Sequence, residues 1–126
     1  MMNFMGRRIF LAREAMDMRR GMDRLSSWVQ STLNEDPYVG DVFVFLSKNR
    51  KRVKYLVWDV SGYWLAMKRL ESGRFPRPHE PITGEPSDTH AVIVSAAEFA
   101  LLLEGINVHH ATYHQHYVRP EMQKTQ

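Results

Sequence analysis

The chain has 126 residues, 44% of them hydrophobic and 25% charged, which predicts one soluble globular domain with its own core. It contains no cysteine, which excludes disulfides, thiolate zinc sites and a cysteine nucleophile and fits a reducing compartment. The net charge of +3 divides unevenly, with a balance of +7 in residues 1–78 and −4 in residues 79–126, so the first part favours a polyanionic partner.

The first predicted elements are a short strand, residues 7–12, and a long helix from Asp17 to Leu33. Asp17 suits the N-cap position, because its carboxylate can accept hydrogen bonds from the free amides of a first helical turn. Apolar side chains recur at helical spacing along the segment and predict one buried stripe that includes Trp28. The members of the stripe are Met18, Met22, Leu25, Trp28, Val29 and Leu33.

Three strands are predicted next, and together they form an antiparallel meander. Val42–Leu46 is apolar on both faces, which is typical of a central strand. Residues 53–59 are rich in branched and aromatic side chains, which suit a pleated sheet, and residues 63–70 complete the meander. Asp59 and Gly62 occupy the first and fourth positions of the tight connection, which favours a type I turn.

A proline-rich connection, residues 76–90, leads to a fourth strand at 91–94 and to a second helix. Ser95 and Glu98 form a capping box at the start of that helix, and Gly105 can end it in the left-handed conformation. We therefore expect an α+β fold, an antiparallel β-meander with one long helix packed on a face and a second, C-terminal helix. Residues 1–108 form this single domain, and residues 109–126 form a His-rich, flexible tail.

Cations and aromatic rings cluster on the short connections of the meander. Cations neutralise phosphates and rings stack on bases, so the composition favours a nucleic-acid surface. A buried aromatic core with a solvated hairpin tip explains each residue singly, so the prediction depends on the cluster. Its members are Lys48, Arg50, Lys51, Arg52, Lys54, Tyr55, Trp58, Tyr63, Trp64, Lys68, Arg69, Arg74 and Phe75.

Metal-dependent chemistry is the competing interpretation. The carboxylates Asp17, Asp23, Asp59 and Glu71 could form a two-metal site for phosphodiester cleavage, but each has a simpler structural role and no metal-binding spacing links them. Histidines at 109, 110, 114 and 116 could bind Zn²⁺ or Ni²⁺, although no carboxylate or cysteine lies among them to fix a geometry. We predict no catalytic residue, no cofactor and no designed metal site.

Segments spread along the chain carry a resemblance to a known family. Residues 17–25 resemble D-M-R-K-G-x-D-x-L, residues 42–45 an F-V-F strand, and residues 54–62 K-x-L-x-W-D-x-x-G. Residues 68–75 match K-R-L-E-x-G-R-F letter for letter, and residues 102–106 resemble L-L-E-G-[IL]. From Arg8 to Val108 the chain thus resembles the small second-frame accessory protein, often labelled TnpB, of IS66-type insertion sequences, which is unrelated to the RNA-guided nuclease that shares the label.

The resemblance implies a cytoplasmic bacterial protein that is needed for transposition and is encoded beside a separate, larger transposase. The acidic catalytic triad of such transposons is associated with that larger protein, which argues against catalysis here. No apolar stretch at the N-terminus or elsewhere suits a signal peptide or a membrane span, in agreement with a cytoplasmic location. The tail departs from the family pattern, because members often end in Trp/Arg/Pro-rich segments.

We therefore predict a non-catalytic accessory protein of transposition that binds transposon DNA or the transposase–DNA complex. The alternatives are a protein-interaction module that docks on the transposase without DNA contact, and a metal-dependent nuclease. Cations would contact phosphates, and Tyr63 or Trp64 would stack on bases, one of the two facing the core because strand side chains alternate. The candidate residues are Arg19, Arg20, Arg50, Lys51, Arg52, Lys54, Tyr63, Trp64, Lys68, Arg69 and Arg74.

Overall fold

One mixed β-sheet forms the centre of the fold, and the predicted α+β class is confirmed. The computed structural model describes residues 3–78 and 90–105. No helix in these ranges is long and apolar enough to cross a membrane. In chain order the elements are β1 (Ile9–Ala12), α1 (Met22–Trp28) with a π-helical turn (Val29–Leu33), β2 (Val42–Leu46), β3 (Arg52–Asp59), β4 (Gly62–Arg69), β5 (Ala91–Val94) and α2 (Ala96–Leu103).

The strands lie in the order β4-β3-β2-β1-β5. Strands β2, β3 and β4 are antiparallel neighbours, so the predicted meander is confirmed. Strand β1 is parallel to β2, with Ile9 opposite Val42, and antiparallel to β5. The whole sheet is therefore mixed, because the chain crosses over through α1 between β1 and β2, as parallel neighbours require.

Both faces of the sheet are buried along β1 and β2, and the two helices cover opposite faces. Leu25 of α1 packs on the face that carries Phe43 and Phe45. Phe99 of α2 packs on the face that carries Val44. Since strand side chains alternate between faces, this arrangement explains why β2 is buried along its whole length.

The first helix is shorter than the predicted span from Asp17 to Leu33. It begins at Met22, after an extended Gly21 at the N-cap position, and ends in the π-helical turn at Leu33. Asp17 is not the cap. Its carboxylate accepts a 2.9 Å hydrogen bond from the backbone N–H of Arg19, a local bond of the kind that lets Asp compete with helix formation.

The second helix has the predicted beginning and end. Ser95 Oγ accepts a 3.0 Å hydrogen bond from the backbone N–H of Glu98, as a capping box requires. Gly105 follows the helix with a φ of +78°, the left-handed conformation expected there. Most of the predicted connection, residues 79–89, and the whole predicted tail, 109–126, lie outside the described residues.

The connection between β3 and β4 differs from the predicted type I turn. Val60 has a φ of +52°, and the backbone N–H of Ser61 donates to Asp59 O at 2.5 Å, two residues back. This is a γ-turn with a positive φ, which is strained for any residue with a side chain. A branched residue is least suited to that conformation, and Val60 is 91% exposed, so no packing offsets the strain.

Replacing Val60 by glycine should therefore stabilise the protein. Removing the branched side chain relieves roughly 1–2 kcal/mol of strain from the left-handed conformation. The greater entropy of glycine in the unfolded chain lowers this gain by about 0.5–1 kcal/mol. Urea unfolding followed by circular dichroism measures the difference. Ser61→Gly is the matched control, since Ser61 does not have a positive φ, and it should lower the free energy of unfolding. Equal effects of the two substitutions would contradict the strained turn.

Candidate nucleic-acid interface

The turn between β2 and β3 is held in shape by its own side chains. Ser47 Oγ accepts a 3.0 Å hydrogen bond from the backbone N–H of Arg52 and donates to Asn49 Oδ1 at 2.8 Å. Asn49 Oδ1 also accepts from the backbone N–H of Lys51 at 3.1 Å. Serine and asparagine stabilise turns through such local bonds, so this turn carries its cations on a well-fixed backbone.

The segment that follows β4 folds back on this turn. The backbone N–H of Leu70 donates to Lys51 O at 2.8 Å, and that of Phe75 donates to Arg50 O at 2.7 Å. Arg50 Nη1 donates in return to Phe75 O at 3.0 Å. The Phe75 side chain is fully buried in the core on the α2 face of the sheet, so it fixes the segment beside the turn.

Two shallow depressions at this end of the sheet are lined by cations from separate parts of the chain. Lys48 borders both depressions. The first is also lined by Arg13, Arg50 and Arg77, together with Glu14, which pairs with His90 at 3.3 Å. The second is also lined by Arg19, Arg52 and Asp17.

We call this surface the basic end and define it by the side chains that carry its uncompensated charge. Among the described residues, none of these side chains forms an ion pair with a carboxylate. Like charges held together in this way produce a positive potential that favours a bound anion. The members of the basic end are Lys48, Arg50, Lys51, Arg52, Arg74 and Arg77.

The environment of Arg50 reflects this crowding of positive charge. Burial lowers the pKa of its guanidinium, and the charges of Arg77 and Arg74 lower it further. Both effects disfavour the charged form, which a neighbouring anion would stabilise. Arg50 therefore lies where the positive charges of the turn between β2 and β3 and of the segment after β4 come together.

Arg19 and Arg69 border the basic end, but each is neutralised by a nearby carboxylate. Arg19 forms a 2.8 Å ion pair with Asp17, and the hydrogen bond from Arg19 lowers the pKa of that carboxyl. Arg69 forms a 2.8 Å ion pair with Glu71. Arg20 is half-buried, with Nη1 3.2 Å from Met16 Sδ.

Two of the predicted lysines bond to backbone carbonyls. Lys54 Nζ donates to Met18 O and, at 3.0 Å, to Arg20 O, so it holds the segment that leads into α1. Lys68 Nζ donates to Leu103 O at 2.8 Å and so satisfies a carbonyl at the end of α2. Both ammonium groups therefore have partners in the fold itself.

Tyr63 and Trp64 lie at the opposite end of the sheet. Between Arg52 and Trp58, which pairs with Tyr63, β3 extends for roughly 20 Å at about 3.3 Å per residue. Tyr63 is half-buried on the α1 face and hydrogen-bonds Ser26 at 2.9 Å. Trp64 is on the other face, 58% exposed, with Nε1 3.4 Å from Asp59 Oδ2. The expected alternation is observed.

The rings of Tyr38, Trp58 and Tyr63 form a cluster, which we call the aromatic end. Their centroids are 5.0 to 5.7 Å apart, and two of the three pairs meet edge to face. Burial raises the pKa of the Tyr63 hydroxyl, and the negative charge of Asp36 also raises it. The structure therefore separates the cations from the aromatic rings that follow them in the sequence.

The carboxylates of the nuclease alternative do not come together either. Asp17 and Glu71 are paired with arginines, while Asp59 lies at the far end of β4 from Glu71. Within residues 3–78 and 90–105, no group of three or more histidines and carboxylates could hold a metal ion.

The sequence placed Lys48 in the cationic cluster but not among the candidate contact residues, and it missed two further cations that line the first depression, Arg13 and Arg77. Lys48 lies within the basic turn and was available from its position. Arg77 comes two residues after Phe75, and only the burial of that ring shows that the segment returns to the turn. Arg13 follows β1, and the chain gives no sign that the ends of β1 and β2 are neighbours.

Comparisons with known proteins identify one family and two similar proteins. The family model described as IS66 Orf2-like protein matches residues 7–113. Two relatives from Sinorhizobium fredii (strain NBRC 101917 / NGR234) are similar along most of their length. Uncharacterized protein y4jC is 42% identical over 102 residues, 81% of each chain. Uncharacterized protein y4hO is 33% identical over 103 residues, 82% of this chain and 84% of the relative. No solved structure matches.

The basic end should bind inorganic phosphate, and binding to the folded state alone raises the melting temperature. We expect a larger rise in phosphate than in chloride at equal ionic strength. The matched control is Arg74→Gln with Arg77→Gln, which should retain only the general salting-out effect of phosphate. An equal rise in the two proteins would contradict an anion site at the basic end.

Lys54 and Lys51 provide a second comparison. Lys54→Met keeps the apolar stem but leaves two backbone carbonyls without their donor, so it should cost about 1–3 kcal/mol of the free energy of unfolding. Lys51→Met, on an exposed side chain, should change it by less than about 0.5 kcal/mol. Urea unfolding measures both values. Similar stability of the two variants would show that Lys54 has no structural role.

Proposed function

The chain belongs to the IS66 Orf2-like family of transposition accessory proteins, and we propose that it acts without catalysis by binding DNA through its basic end. The observation that carries this proposal is the uncompensated charge of that surface. Each phosphate that a lysine or arginine neutralises releases condensed counterions, so such a surface binds DNA in a salt-dependent way. The DNA partner would also locate the protein in the bacterial cytoplasm.

The basic end is suited to a phosphate backbone because its exposed cations are attached to a backbone that hydrogen bonds hold in place. Lys51, Arg52 and Arg74 are exposed. Arg50 is half-buried and oriented by its hydrogen bond to Phe75 O. A fixed set of cations loses less conformational entropy on binding than a flexible basic tail would. Arginine adds planar, bidentate donors that match a phosphate group.

A second candidate function is docking on the separate transposase without DNA contact. The observation that favours it is the aromatic end, where Tyr38 is 52% and the adjacent Val39 60% exposed, close to the hairpin tip at Val60. Exposed apolar side chains grouped in this way are typical of protein interaction surfaces. Binding of the purified protein to transposase alone, with no affinity for DNA at low salt, would support this function over the first.

The test of DNA binding is a double substitution, Lys51→Ala with Arg52→Ala. Both side chains are exposed, and neither forms an ion pair within residues 3–78 and 90–105, so the fold should be preserved while affinity falls for every DNA sequence. The slope of log affinity against log salt should decrease in magnitude by about 0.9 for each duplex phosphate that the variant no longer neutralises. Fluorescence anisotropy at several salt concentrations measures both quantities.

The matched control removes an exposed cation that lies outside the basic end. Arg24 is exposed on α1, and Arg24→Ala should leave affinity and salt slope close to the wild-type values. The double variant should also fail to support transposition in a cell assay in which the control variant succeeds. Unchanged DNA affinity of the double variant would remove the turn from the interface.

A further inference from the structure

Given the DNA binding proposed above, on which this step rests, we infer that the basic end binds duplex DNA through its phosphates, independently of base sequence and without stacking on unpaired bases. Three observations lead to this assignment. They are the position of the aromatic rings, the shape of the turn between β2 and β3 (the basic turn), and the charge densities of duplex and single-stranded DNA.

The basic end lacks exposed rings on which bases could stack. In the described part of the chain, the exposed tyrosine and tryptophan rings are Tyr38 and Trp64, and both lie at the opposite end of the sheet. Phe75 lies between Arg74 and Arg77, but its ring is fully buried. Proteins that hold single strands combine a basic groove with a row of such rings. Here the cations and the exposed rings are roughly 20 Å apart, as the length of β3 indicates.

The basic turn also lacks the shape required for reading base edges. Direct readout in the major groove needs an α-helix or a two-stranded ribbon that enters the groove. A third segment widens this turn, because Leu70 bonds to Lys51 and Phe75 bonds to Arg50. We therefore place the widened turn across the phosphate backbone and not inside the groove. Contacts with phosphates position a protein on DNA but carry no sequence information.

The remaining attraction is electrostatic, and it is strongest for the form of DNA with the higher charge density. Duplex DNA carries one phosphate per about 1.7 Å of its axis, and each neutralised phosphate changes the salt slope by about 0.9, against about 0.7 for a single strand. A surface of cations alone therefore prefers the duplex. Stacking on bases would make the single strand the preferred ligand only if aromatic rings lay beside the cations.

The experiment measures the affinity of the full chain for three DNA molecules at several salt concentrations. They are a duplex with the transposon-end sequence, a scrambled duplex of the same length and composition, and the single strand of the end sequence. We expect the two duplexes to bind within about twofold of each other and the single strand to bind more weakly, with the smaller salt slope. Such a result supports backbone-only binding.

Two variants distinguish the contribution of base stacking to DNA affinity from that of electrostatic attraction. Trp64→Ala should bind all three DNA molecules as the wild type does, whereas Lys51→Ala with Arg52→Ala should weaken binding to all three. The thermal unfolding of each variant is compared with that of the wild type, so that a loss of binding is not a loss of folding. Trp64 is 58% exposed, so its removal is compatible with the fold.

Three outcomes would overturn the inference while leaving DNA binding intact. The first is tighter binding of the single strand. The second is a loss of about tenfold in single-strand affinity on Trp64→Ala, as a stacking residue would show. The third is a preference of about a thousandfold for the transposon end, as sequence-specific proteins show. Absence of salt-dependent binding to any of the molecules would instead overturn the proposed function, and this inference with it.

Discussion

The backbone pairing of Phe75 with Arg50 is the contact on which the basic end depends. It joins positions 25 residues apart and brings Arg74 and Arg77 beside the turn that carries Lys48 to Arg52. Repulsion between two exposed charges about 4 Å apart is of order 1 kcal/mol in water. Burying a phenylalanine side chain contributes about 1.5–3 kcal/mol. The hydrophobic core can therefore hold like charges together that would otherwise separate, and a bound polyanion would relieve the remaining repulsion.

One of the segments that carry the resemblance to the family, residues 68–75, mostly maintains the fold. In residues 68–75, Lys68 bonds to the end of α2, Glu71 neutralises Arg69, Gly73 turns the chain with a φ of +76°, and Phe75 anchors the segment. The segment at 17–25 has a similar role, because Lys54 binds two of its carbonyls. Several of the residues that carry the resemblance are thus engaged in contacts that hold the fold together.

The sequence predicted those elements whose signals are local. A continuous apolar run predicted β2, branched and aromatic residues predicted β3, and the spacing of Ser95 and Glu98 predicted the start of α2, because each signal depends on neighbouring residues. The predicted start of α1 was wrong, since the hydrogen bond that the backbone N–H of Arg19 donates to the Asp17 carboxylate competes with the helix. The parallel pairing of β1 with β2 depends on a long crossover that no local pattern shows.

The candidate site was only partly predictable for the same reason. The cations of the turn are adjacent in sequence, and their grouping was foreseen. Whether each cation has a partner depends on distant contacts such as that between Lys54 and Met18, 36 residues apart. The interleaving of rings and cations was misleading, because an extended strand separates residues that are close in sequence. Six residues of β3 are enough to place Arg52 and Trp58 at opposite ends of the sheet.

Binding through phosphates alone would give this protein affinity for DNA without a means of choosing a site. A genome offers very many competing sites to such a surface, so the choice of the transposon end must come from another component of the complex. The separation of the two ends of the sheet is compatible with that division, since DNA on the basic end leaves the exposed rings of Tyr38 and Trp64 open to a protein partner. Linked to a partner that selects the site, even a weak, sequence-independent contact raises the overall affinity, because the second binding event becomes intramolecular. On this view an accessory protein needs no catalytic group. It contributes additional affinity for the DNA next to the site that the partner has selected.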